Sequence, residues 1–234
     1  MIEAEWLAWD SPEAMLKFIH DKVSDRKWRL FTVSFCRQHT IENVLDANVH
    51  DAIQQLERFA DGEVGETELV KAIQAIRDAH RGSNLPETAD GNFYTVDNIT
   101  VIPTRAYLGI AITWPARDLA TSLVHFGVEI AASIEPRQAA RERIRKVFLD
   151  TVVCCRDIFG NPFRPATLNR SWLTSTVTSL AQAIYTDRTF DHLPILADAL
   201  EDAGCTDADI LAHCRGGGEH CRDCWVVDLL LGKS

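Results

Sequence analysis

Five residues crowded into a dozen positions could hold a metal ion: His213, Cys214, His220, Cys221 and Cys224. Cys221-x-x-Cys224 has the spacing of a zinc knuckle, and Cys214 with His220 completes the four ligands that close a structural zinc site. His213 is the alternate fourth ligand. Gly216-Gly217-Gly218 lets the chain fold back and carry Cys214 toward the knuckle. Against this set stand the missing second Cys-x-x-Cys and the helical geometry of His213 and Cys214. Adjacent residues of a helix point about 100° apart. The competing reading is a group of reduced cysteines, with Cys224 buried beside Trp225 and the histidines in solvent.

Other chemistry has weaker support. A cysteine nucleophile needs a thiolate, a base and an orienting group; Cys214 or Cys221 with His220 and Asp223 supplies the inventory. Residues so close in sequence do not reach triad geometry, and no oxyanion-forming motif accompanies them. No catalytic residue is assigned. Cys154-Cys155 continues an apolar run, and Cys36 has no second ligand at helical spacing, so all three read as buried small hydrophobes. The glycine triplet follows a helix and lacks Lys-Ser/Thr, which excludes a phosphate loop. Asp198, Glu201, Asp202, Asp207 and Asp209 read as solvated helix faces. So does the basic stripe Arg137, Arg141 and Arg145, tempered by Glu135 and Glu142.

The elements that position these residues are helices. Ser11-Pro12-Glu13 is a helix entrance leading into Met15, Leu16, Phe18 and Ile19. Helices follow from Ser24-Asp25, over Val44–Ala60 with its stop at Asp61–Gly65, and over Glu66–His80. Trp114-Pro115 opens a long helix to about Ser133, and Glu135-Pro136 another to about Phe159. Leu123, Val124, Phe126, Ile144 and Val147 are expected between those two. Later helices cover Thr176–Asp187 and Ile195–Ala203, the latter ended by Gly204. A short helix capped at Thr206-Asp207 follows, and the apolar Val226–Leu231 is expected to dock as a helix toward Ile195, Leu196 and Leu200. Residues 93–96 and 99–102 have the composition of a small β-hairpin turning at Asp97-Asn98; a loop against helices fits them equally well. The expected fold is all-α, an irregular multi-helix single domain over residues 1–234, with the loop 81–103 as the place for any internal boundary.

Composition narrows the class. The 234 residues are 46% hydrophobic and 25% charged, ordinary for a globular chain. Their 24 basic and 34 acidic side chains give a net charge of −10, which opposes general nucleic-acid binding. No apolar run is long enough to span a bilayer. The acidic opening Met1–Trp6 has no basic region before an apolar run, and seven cysteines do not make a disulfide scaffold. The expectation is a cytoplasmic chain with reduced thiols and no membrane partner.

Several segments resemble a large paralogous family of uncharacterised planctomycete proteins. They are Glu5-Trp6-Leu7, Ser24–Phe31, Arg156–Pro165 with its Ile158-Phe159-Gly160-Asn161-Pro162-Phe163-Arg164-Pro165, Leu193–Leu200, and Trp225-Val226-Val227-Asp228-Leu229-Leu230-Leu231-Gly232-Lys233. The resemblance lies at both ends of the chain and is least over about residues 85–135. It implies no reaction, ligand or residue role. Two functions are therefore open. One is an intracellular, non-catalytic interaction or regulatory module with an unknown protein partner and no cofactor. The alternative is a zinc-binding protein or small enzyme built on the Cys/His cluster.

Overall fold

A computed structural model describes residues 1–8, 11–39, 47–80, 137–218 and 220–233. Among them lie ten α-helices and no strand, so the fold is all-α. The expected hairpin at 93–102, the boundary loop 81–103 and the helix of Leu123, Val124 and Phe126 fall outside the described residues. None of the described helices is long and apolar enough to cross a membrane. The chain divides into two compact units, Asp10–Thr151 and the pair Met1–Trp9 with Val152–Ser234.

In the first of these units, α2 (Pro12–Ile19) carries proline in its first turn and buries Met15, Leu16 and Ile19. Helix α3 (Asp25–His39) buries Trp28, Phe31, Val33 and Cys36, the last as the small hydrophobe its isolation implies. Helices α4 (Ala47–Ala60) and α5 (Glu66–His80) complete this layer through Ile53, Leu56, Leu69 and Ile73. Between α4 and α5 the backbone closes at Gly62, whose φ of 71° suits glycine, and the Glu63 N–H reaches back to the Arg58 carbonyl at 2.9 Å. The one deeply buried acid of α4, Glu57, is met by Arg37 at 3.0 Å. That pairing offsets part of the cost of burying the carboxylate. On α6 (Arg137–Phe159), Val147 is buried, Ile144 is half-buried, and Arg141 and Arg145 are exposed.

The other unit is built on the last two turns of α6, where Cys154, Cys155 and Ile158 are buried. Gly160 ends the helix with φ 65°. Its carbonyl accepts from the Trp6 indole at 3.1 Å, which ties α1 (Glu3–Ala8) to this point. The Arg156 guanidinium donates to the Trp6 carbonyl at 2.9 Å in return. Helix α7 (Ser175–Asp187) starts at Thr174, whose hydroxyl accepts from the Val177 N–H. Helix α8 (Leu193–Asp202) closes at Gly204, where the Cys205 N–H reaches the Leu200 carbonyl at 2.8 Å. Asp207 then caps α9 (Ala208–Arg215) by accepting from the N–H groups of Asp209 and Ile210.

Helix α10 (Trp225–Leu231) lays Val226, Val227 and Leu230 into a single apolar cluster with Ile184, Leu196 and Leu200. Ile195, expected on that side, is instead 53% exposed. It stands one helical step from Leu196, and only one of the two can face the core. Arg222 and Lys233, at either end of α10, lie against the Tyr185 ring at 4.5 and 4.3 Å. The tail is thus held by apolar burial along its length and by cations at its ends.

Candidate metal centre

The centre forms where the end of α6, the last turn of α9 and the chain entering α10 converge. Asp157 comes from the last turn of α6 and is 3% exposed. A carboxylate there is doubly disfavoured, because it is desolvated and sits at the negative end of the helix dipole. It is kept by its partners. His220 Nδ1 lies 2.6 Å from Asp157 Oδ1 and His213 Nε2 lies 3.2 Å from the same oxygen. Cys221 donates to Asp157 Oδ2 with its backbone N–H at 2.8 Å and its thiol at 2.9 Å.

His213 projects from the last turn of α9, and its Nε2 also lies 3.0 Å from Cys224 Sγ. Cys224 stands at the N-cap of α10 and is fully buried. One ligand atom from each of Asp157, His213, His220 and Cys224 lies within 4.8 Å of all the others. Ligand atoms around a tetrahedral zinc, at bond lengths of about 2.0–2.3 Å, stand roughly 3–4 Å apart. The donor set therefore fits such an ion after small side-chain adjustments. It combines two imidazoles, a thiol and a carboxylate, the borderline-soft chemistry that suits zinc rather than magnesium or calcium.

Rings fix the imidazoles. The His213 and His220 centroids are 4.9 Å apart at 79°, and His213 lies 5.2 Å from the Trp225 ring. Trp225 in turn backs onto Gly160, where an added Cβ would come within 3.2 Å of the indole. The other nitrogen of His220, Nε2, lies 3.3 Å from the Gly216 carbonyl. Donating there leaves Nδ1 as the nitrogen that faces the centre.

Electrostatics follow from these contacts. Burial alone would raise the Asp157 pKa, but hydrogen bonds from His213 and His220, and the attraction of their rings, hold the carboxyl well below the usual range. Burial likewise opposes charge on His220, yet its bond to Asp157 raises its pKa overall. In the metal-free centre one contact thus favours the carboxylate form of Asp157 and the imidazolium form of His220. Burial and the Asp157 charge push the Cys224 thiol up. The Cys221 thiol is pushed up by its hydrogen bond with Cys154, by burial and by Asp157. Thiols held protonated in this way are poor nucleophiles, whereas a bound divalent cation would displace the Cys224 proton.

Of the residues expected as ligands, the structure brings His220, Cys224 and the alternate His213 together. Cys221 reaches the group through the far oxygen of Asp157. Cys214 lies in the apolar cluster, 1% exposed, where burial lifts its thiol pKa to about 12. Asp157 is the member that spacing did not single out. Its signal was a carboxylate three residues after Cys154 and next to Ile158, at the edge of an apolar helical stripe. The solvated acids behave as read: Asp198 and Glu201 bind Arg215 at the surface. Comparison of the chain with protein-family models, curated proteins and solved structures finds no match.

Proposed function

We propose that this chain is a metal-stabilised, non-catalytic interaction or regulatory module that binds one zinc-class ion through Asp157, His213, His220 and Cys224. The observation that carries the reading is the convergence of these four side chains, from three separate segments, on one buried point. Four protein ligands complete a tetrahedral shell and leave no position for an activated water or a substrate, which favours a structural ion over a catalytic one. We also propose membership of the planctomycete family that the sequence resembles; two of the resembling segments run beside Asp157 and into α10. The test is calorimetric titration of zinc into the metal-stripped chain. One site per chain at micromolar Kd or tighter is expected, with His213→Ala and Cys224→Ala each weakening it by tenfold or more. No heat of binding in the parent chain would remove the reading.

A further inference from the structure

We infer that Cys221 is the positioning residue of this centre, holding Asp157 so that a single oxygen faces the ion; the inference rests on the metal-binding reading above. Both donors of Cys221 converge on Oδ2, the peptide N–H at 2.8 Å and the thiol at 2.9 Å. Both histidines converge on the other oxygen, Oδ1, at 2.6 and 3.2 Å. The carboxylate is thus divided: one oxygen is occupied by Cys221, the other points at Nδ1 of His220 and Nε2 of His213. A carboxylate clamped in this way binds through one oxygen, which keeps the coordination number at four. A free carboxylate can swing to offer both oxygens, as larger and harder cations require. Outer contacts of this kind orient ligands and typically carry a 10–100-fold effect on metal affinity.

Cobalt(II) is the probe, since its visible spectrum reports both tetrahedral geometry and thiolate ligation. The full chain, Cys221→Ala, Cys221→Ser and Cys224→Ala are titrated with it, and circular dichroism checks their helicity. Cys221→Ala is expected to weaken binding 10–100-fold while keeping the thiolate-to-cobalt charge-transfer band. Cys221→Ser, whose hydroxyl still donates to Oδ2, should bind within a few-fold of the parent chain and keep the band. Cys224→Ala should lose it. Equal affinity in the parent chain and Cys221→Ala would overturn the positioning role and leave the metal site standing. A band lost in Cys221→Ala or Cys221→Ser would make Cys221 a ligand, also overturning the role. Failure of the parent chain to bind cobalt at all would bring down the metal reading and this inference together. Should Cys221→Ala not fold, Cys221→Val, which also lacks a side-chain donor to Oδ2, takes its place with the same expected and contrary outcomes.

Discussion

At the scale of residues, the centre is a competition between protons and a metal for the same atoms. In the metal-free chain the contact between Asp157 and His220 lowers the pKa of the first and raises that of the second. Because the Asp157 pKa is lowered on folding, its contribution is present above about pH 4 and fades as pH falls through the depressed native value. Because the His220 pKa is raised, its contribution is present below about pH 6.5 and is lost as pH rises through the elevated native value. A bound ion reverses this dependence, since it needs neutral His220 and deprotonated Cys224. The chelator-treated chain should lose stability relative to His220→Gln as pH rises above about 6.5, while zinc affinity rises over the same interval. Denaturant midpoints with and without zinc measure both. Zinc affinity that is flat with pH would contradict the ligand assignment.

At the scale of elements, the helices were legible and their meeting point was not. Caps and stops such as Ser11-Pro12, Gly62, Gly204 and Asp207 act locally, so sequence alone places them. His220 and Cys224 stood out because His and Cys crowd together within one short segment. Asp157 could not, since the contact joining it to His220 spans 63 residues and depends on how α6 meets α9. Cys214 was expected as a ligand because the Gly216-Gly217-Gly218 turn could carry it toward the Cys221-x-x-Cys224 knuckle, yet it lies on the apolar side of α9. The packing that aligns these elements gives its own test at Gly160. An alanine there would meet both a φ of 65° and the Trp225 ring at 3.2 Å. Gly160→Ala should cost about 1–3 kcal/mol in chemical denaturation and weaken zinc binding, because Trp225 backs His213. A loss of stability with unchanged zinc affinity would separate the two effects and contradict the buttress.

At the scale of the molecule, the ion is an addition to a core that already closes. Val226, Val227 and Leu230 are buried among α7 and α8 side chains, each burial contributing roughly 1.5–3 kcal/mol. Every oxygen of Asp157 has a partner without the ion. Removing zinc should therefore leave helicity intact and lower the thermal midpoint, since a ligand at a hundred times its Kd adds about 2.7 kcal/mol. Truncation after Gly218 should be far worse, giving an aggregating or protease-sensitive chain, as circular dichroism and limited proteolysis would show. A truncated chain that melts like the full one would mean that α10 is dispensable. The most direct test of the centre is X-ray absorption at the zinc edge of the loaded full-length chain. The arrangement of Asp157, His213, His220 and Cys224 predicts one sulfur neighbour with the remaining ligands nitrogen or oxygen. Two or three sulfur neighbours, drawn from Cys214 and Cys221 beside Cys224, would contradict it.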